Sequence, residues 1–593
     1  MGKHARPSGK SARTAPGSAV RVRPLPIRSA VRLRRPVDIW HKPALSAVAA
    51  LAVPDFALFA LGRLDLILYT SAGTMCALYA HGLPYAARAR TLLWVVLGMV
   101  AGLGVALTAA SLTTSTALLV VLASLVAAVH KMVCDATRIG PPGNLILTFI
   151  AASAFFVPQH LGQVPLHLAL ALGAGGLAWL VCMAPALIRP RGPERIATAR
   201  ALEAAAGLLR TEPGPGGAER AGVAQARHAA AAAVNAAWHT LFLVPARTPA
   251  KAAARAGLER LLVRAESALG HEPRSAAAEA ERLTGWAREL RSGRPLPEVA
   301  LSAAETEELV GVADEAREPR RPAPRRPAPR RPAPRRPGVL ARLAPGSPLL
   351  PIGARVAAGG VLAGWASMAV GVGHPYWAVV TAASIYQANT TLSWQRALQR
   401  TLGNLLGLLL YTALLPLLHT GQLVMIVLAL VCQLGAEACI TRNYWLGSVW
   451  VTPMALLLTE FGSRLPARTL IADRWIDTVV GAAVGLACCV LVTNRRAADR
   501  IEVALERVTA AESAASRLLA TGPAPGADDA RETGWARDRL AGGLVELREA
   551  VEVAAGEWWQ RALPEERIAH AEQQGHRALA GLVGRLSAPV PAA

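Results

Sequence analysis

Twelve nearly uncharged apolar runs fill two stretches of this chain, and no water-soluble fold has room to bury so many. The first stretch holds Ala44–Gly62, Leu66–Ala80, Thr91–Ala110, Thr116–Val133, Leu145–Val157 and Leu166–Ile188. The second holds Val356–Val372, Tyr376–Ala388, Leu402–Leu418, Leu423–Ile440, Tyr444–Leu458 and Trp475–Val492. The runs leave no polar faces to meet water, so they read as helices in a bilayer. A helix needs ~20 residues to cross ~30 Å of hydrocarbon. Several runs are shorter, so either flanking polar residues enter the membrane zone or neighbouring helices shield them.

Charge divides the rest of the 593 residues. Only 17% of the chain is charged, yet its formal net charge is +23. Residues 1–43 carry eleven Lys/Arg against Asp38, and residues 320–342 carry nine Arg and no acid. The remainder is nearly neutral, which argues against a folded nucleic-acid-binding face. The order that follows is a basic, disordered tail (1–43), a first apolar block (44–188), and a polar helical block (189–319). An Arg/Pro-rich linker (320–345), a second apolar block (346–493) and a C-terminal polar helical block (494–593) complete it. The linker repeats RRPAP from Arg320 to Pro334, a composition that favours extended polyproline II. Cys76, Cys134, Cys182, Cys432, Cys439, Cys488 and Cys489 lie in or beside apolar runs and read as small buried side chains, not as metal or redox sites. No nucleotide-binding cassette, HExxH or paired CxxC pattern is present, so we expect neither an enzyme nor a cofactor.

Loop charges orient the spans. Arg88, Arg90, Lys131, Arg138, Arg396, Arg400 and Arg442 fall in or beside alternate breaks, while Ser111–Ser115, Pro158–Pro165, Gly373–Pro375 and His419–Gln422 carry no Lys or Arg. That is the positive-inside pattern, with Arg63, Arg464, Arg468 and Arg474 as exceptions. Both termini and both polar blocks are thereby predicted to be cytoplasmic. Six spans per block means both blocks start from the same side, as in parallel repeats. Gly62 and Thr70 match Gly373 and Thr381 at an offset of 311, and Gly98 and Gly102 match Gly403 and Gly407 at 305. The expected fold is an all-α membrane protein of two parallel six-helix repeats, each followed by a cytoplasmic helical block. Thr284-Gly-Trp-Ala-Arg288 recurs as Thr533-Gly-Trp-Ala-Arg537, and Ala265-Glu266-Ser267 as Ala511-Glu512-Ser513, which suggests related helical units, with chance similarity in an Ala/Arg-rich chain as the rival reading.

The second apolar block reads Gly373-His-Pro-Tyr-Trp377-Ala-Val-Val-Thr381, then Arg396, Arg400, Gly403 and Gly407. Tyr444, Thr452-Pro453 and Arg474-Trp-Ile-Asp477-Thr478 with Gly481 follow. This resembles the fusaric acid resistance (FUSC), or aromatic acid exporter, family of membrane transporters. The first block, in Leu66–Tyr79 and the stretch from Pro84 to Arg90, resembles a more degenerate repeat of it. The resemblance implies export of small aromatic or other organic acids across the plasma membrane, driven by the proton gradient.

Spacing singles out two helical stripes. Arg396, Arg400, Gly403 and Gly407 share one face, as do Arg474, Asp477, Gly481 and Gly485. These glycines, with Gly98 and Gly102 of the first block, are read as helix-packing positions that admit a neighbouring backbone. Arg396 and Arg400 suit a carboxylate through charge-assisted hydrogen bonds; the alternative is a topology anchor that reaches lipid phosphate. Arg474 and Asp477 are spaced for an i,i+3 pair, and Glu437 is placed to meet Arg396 or Arg400; the alternative for these acids is a pair that only orders the bundle. Trp377, Thr381 and Asp55, which follows Pro54, are further path candidates; the alternative for Asp55 is a helix breakpoint without function. The leading function is proton-coupled efflux of small organic anions. A passive anion channel and a non-transporting scaffold are the rivals. Expected partners are lipid, the anion, protons and, compatibly, further copies of the chain, with no nucleic acid. Impermeant thiol labelling of intact cells should reach cysteines placed at Gly162 or Gln422 and miss one at Ser302; labelling of the Ser302 position would overturn the orientation.

Overall fold

The computed structural model describes residues 27–33, 39–211, 217–244, 248–270, 276–299, 347, 349–387, 389–462, 467–491, 497–521, 527–555 and 564–587. Most of the basic tail, the RRPAP linker and Trp558–Trp559 lie outside them. Among the described residues every regular element is helical. The first apolar block forms α1 (His41–Ala60), α2 (Ile67–Thr74), α3 (Tyr85–Leu112), α4 (Thr116–Thr137), α5 (Leu145–Ala154) and α6 (Val164–Met183). The first polar block forms α7 (Gly192–Leu209), α8 (Gly217–Phe242), α9 (Pro249–Gly270) and α10 (Ala276–Ser292). The second apolar block forms α11 (Leu350–Ala369), α12 (Tyr376–Ile385), α13 (Thr390–Leu418), α14 (Gln422–Ile440), α15 (Tyr444–Gly462) and α16 (Ala467–Leu491). The C-terminal block forms α17 (Ala497–Ala520), α18 (Ala527–Ala555) and α19 (Glu565–Ser587).

Eight of these helices are long and apolar enough to cross a membrane, so the twelve expected spans reduce to eight full-length ones and four shorter apolar helices. The chain is a multi-pass membrane protein. The shorter apolar stretches Leu64–Leu78, Leu145–Ala154, Tyr376–Ile385 and, within α15, Tyr444–Thr459 hold the second and fifth positions of each block. At ~1.5 Å per residue, the ten residues of α12 rise only half a bilayer. Every one of them is buried, so lipid never meets its open ends. Extended residues stop both second helices: Tyr79 after the 3-10 turn Met75–Leu78, and Tyr386 after α12.

The helices of the two blocks pair alike. In the first, α2 and α3 both pack on α6, α1 also packs on α6, and α5 lies against α3 and α4. In the second, α12, α13 and α11 pack on α16, and α15 lies against α13 and α14. Contacts between the blocks are reciprocal: α11 packs on α4 and α14 on α1, while α12 packs on α5 and α15 on α2. Glycine brings the blocks close. A Cβ on Gly360 would lie 2.7 Å from Ser124 Oγ, and one on Gly364 2.5 Å from Val120 Cγ1.

The polar blocks touch each other through α8 with α18 and α9 with α19. A buried ion pair joins them, Arg537 Nε to Glu266 Oε1 at 3.1 Å. Trp238 Nε1 donates to Glu266 Oε2 at 3.4 Å. Burial pushes the Glu266 carboxyl up despite the neighbouring guanidinium. Burial lowers Arg537 but is outweighed by Glu266 and Asp538, which hold it above its ordinary value. The two repeated motifs are thus cross-paired, the glutamate of one with the arginine of the other. Their counterparts part ways: Arg288 is exposed and Glu512 accepts from Ser516 at 2.8 Å. Arg537→Met would leave a buried carboxylate unpaired, a loss of ~3–5 kcal/mol. We expect a clearly lower unfolding midpoint for the polar blocks of the detergent-purified chain, followed by proteolysis, and substantial recovery when Glu266→Gln is added.

Candidate functional site

The glycine stripes decide which side chains meet. A Cβ on Gly403 would fall 2.5 Å from the Trp445 carbonyl oxygen, and one on Gly407 2.8 Å from that of Val449, so α13 and α15 run backbone against backbone. Likewise, a Cβ on Gly481 would sit 2.6 Å from the Ala378 carbonyl oxygen, and one on Gly485 3.1 Å from Ala382 Cα, which fixes α16 on α12. Gly102 faces the His130 ring, whereas Gly98, expected to share its packing role, has no atom within 4 Å of such a Cβ.

These approaches assemble a polar cluster from five helices inside an apolar bundle. Arg400 Nη1 donates to the Tyr444 hydroxyl at 2.9 Å, and Nε to Thr381 Oγ1 at 3.3 Å. The Arg396 guanidinium lies over the Tyr444 ring, 3.9 Å from its centre. Arg474 stacks on Trp377 at 3.4 Å. Asn404 Nδ2 donates to Thr478 Oγ1 at 3.0 Å while its Oδ1 accepts from Thr452 at 2.6 Å. Ser367 of α11 donates to Asp477 Oδ1. Arg400, Arg474 and Asp477 are all buried. Asp477 Oδ2 and the Nε and Nη1 of Arg474 are left without a hydrogen-bond partner. Buried polar atoms are rarely left so, and those of Arg474 and Asp477 could take a ligand's polar atoms.

Arg396, Arg400, Arg474, Asp477, Trp377 and Thr381 therefore come together. The i,i+3 pair does not form: Arg474 turns to the Trp377 face and Asp477 to Ser367, because α12 and α11 offer closer partners than the helix's own surface. Glu437 bonds neither Arg396 nor Arg400, whose partner is Tyr444 of α15. Asp55 is buried in α1, whose main neighbours are α2, α6 and α14, and so stands apart from the arginines. His374 Nδ1 lies 2.8 Å from Asp473 Oδ2 at the end of the cluster, a pairing that spacing did not suggest. Ser367 and Asn404 were also missed. A polar residue between Gly403 and Gly407 was a readable signal for Asn404; a lone serine in α11 gave none.

Aromatic rings border the cluster. Tyr376 and Trp377 lie 4.8 Å apart, and Phe156 and Phe149 of the first block and its edge approach them at 5.6 and 5.2 Å. An anion with an apolar or aromatic body finds both of its chemistries here.

Residues 362–488, which carry this cluster, match the family described as fusaric acid resistance protein-like. The chain is 31% identical over 196 residues to the uncharacterized membrane protein YvaC of Bacillus subtilis, spanning 32% of this chain and 29% of that one. It is 28% identical over 140 residues to the uncharacterized protein slr1298 of Synechocystis, spanning 24% and 18%. The matches thus cover less than a third of either relative. No solved structure matches.

Proposed function

We propose that this chain is a plasma-membrane transporter that exports small organic acids, aromatic ones among them, coupled to the proton gradient. The observation that carries the reading is the Arg474 guanidinium, buried, stacked on Trp377 and with two nitrogens unpartnered, next to Arg400. A carboxylate seated there would complete those donors with charge-assisted bonds. Its organic body would contact the Tyr376, Trp377 and Phe149 rings. The resemblance of residues 362–488 to the fusaric acid resistance family supports the same class of cargo.

In this reading the two apolar blocks are parallel repeats about an axis along the membrane normal, as their matching and reciprocal helix pairings suggest. Both termini and both polar blocks lie in the cytoplasm, where the basic breaks place them. The anion enters from the cytoplasm past Arg396 and Arg400, then passes to Arg474. The inside-negative potential favours its exit, by ~2.3 kcal/mol per charge per 100 mV. Asp477 is the proton-binding group.

Two substitutions test it. In proteoliposomes, Arg400→Gln should weaken apparent affinity for an aromatic carboxylate about tenfold or more, since a hydrogen bond to a charged group is worth ~1.5–3 kcal/mol. Unchanged affinity in correctly inserted protein would leave Arg400 a topology anchor. Asp477→Asn keeps the shape and removes the titratable group. It should abolish accumulation driven by an imposed pH gradient while substrate exchange continues. Uphill movement with unaltered pH dependence would make Asp477 structural, and pH-independent flux through the unmodified protein would favour a channel.

A further inference from the structure

Part of the basic tail expected to be disordered is in fact built into the second apolar block. Residues Ile27–Val31 form a short helix that packs on α13. Its grip is made of backbone carbonyls held by side-chain donors. Gln399 Nε2 and Asn443 Nδ2 both donate to the Ala30 oxygen, at 2.8 and 2.9 Å. Asn443 Nδ2 also reaches the Arg32 oxygen at 3.0 Å, and Trp445 Nε1 the Val31 oxygen at 3.4 Å. The Ala30 side chain is fully buried.

The docking pad and the arginine cluster share one turn of helix. Asn443 and Trp445 hold the tail segment; Tyr444 between them carries Arg396 on its ring and binds Arg400 with its hydroxyl. Gln399 stands next to Arg400 in α13. A segment seated on these residues therefore lies beside the turn that carries Tyr444, the partner of both arginines. The contact is with main-chain oxygens, so the pad reads the shape of the segment and the smallness of Ala30 more than its other side chains.

We propose that residues 27–33 are a strap that closes the cytoplasmic mouth of the arginine site, so that anion entry requires the strap to leave. The orientation of that mouth rests on the function proposed above, whereas the covering itself does not. The test separates the two. In the full chain carrying Cys439→Ser, a cysteine at Gln399 reports access to the pad. Ala30→Trp cannot fit the closed pocket, and overpacking a buried site commonly costs 1–3 kcal/mol, so labelling at position 399 by an impermeant maleimide in inside-out vesicles should rise about tenfold. Equal labelling with Ala30 and Ala30→Trp would overturn the strap. Proteoliposome flux of an aromatic carboxylate should rise with Ala30→Trp. In the Ala30→Cys, Gln399→Cys pair it should stop on oxidation and return on reduction. Faster labelling with flux unmoved by either change would refute the gating role. If no variant, nor the unmodified chain, moves any carboxylate, the transport reading fails while the labelling still decides whether the strap covers the pad.

Discussion

A guanidinium inside an apolar bundle must find its partners within the protein, and that demand organises the second apolar block. Among the described residues Arg474 makes no ion pair with a carboxylate, and it takes the face of Trp377. That stacking works only because α16 and α12 touch at Gly481 and Gly485, where a side chain on either glycine would strike the α12 backbone. Arg400 is served in the same way by α15, brought within reach by Gly403 and Gly407. Close backbone packing and buried charge are one device here: the glycines set the distances at which stacking and single hydrogen bonds can hold a cation away from solvent.

The first block shows what an arginine looks like when the same demand is met completely. Arg88 is buried and donates from Nε to the Ala80 oxygen at 3.2 Å, from Nη1 to the Cys182 oxygen at 3.3 Å, and from Nη2 to the His81 and Leu83 oxygens at 2.6 and 3.2 Å. These bonds fasten the turn after the broken second helix, where Ala80 has a positive φ of 64°. Each of its three nitrogens has a backbone acceptor. With alike helix pairings, the two blocks therefore differ in chemistry: one spends its arginine on the backbone, the other leaves guanidinium nitrogens open. That contrast favours a site in the second block over a structural role for every buried arginine.

Much of this was legible beforehand. Apolar runs marked all twelve helices of the two blocks, and the glycine stripes at Gly403, Gly407, Gly481 and Gly485 named the faces that pack. The short runs were visible too, since Leu66–Ala80, Leu145–Val157, Tyr376–Ala388 and Tyr444–Leu458 are the second and fifth of each block; what composition did not reveal is that every residue of α12 is buried. Spacing along one helix suggested Arg474 with Asp477, but a neighbour brought close by glycine outcompetes a partner on the same helix. Ser367 and Trp377, the partners actually taken, come from helices far away in sequence. The tail segment was hidden for a similar reason: its docking uses main-chain oxygens, which leave no trace in side-chain composition.

The Ser367–Asp477 bond bears on how a proton would drive export. Charge alone argues the other way, since a proton on Asp477 removes the negative charge beside Arg474 and strengthens its hold on an anion. Direct electrostatics would then carry proton and anion together. Export in exchange for protons needs protonation to change the shape of the site as well. Ser367 belongs to α11, and α11 is the helix that packs on α4 of the first block through Gly360 and Gly364. A carboxylate accepts strongly from the Ser367 hydroxyl; under the proposed function, a protonated Asp477 would accept weakly and loosen α16 from α11. In the proposed cycle the proton therefore acts on the joint between the two blocks, and the anion's affinity follows from which side that joint opens.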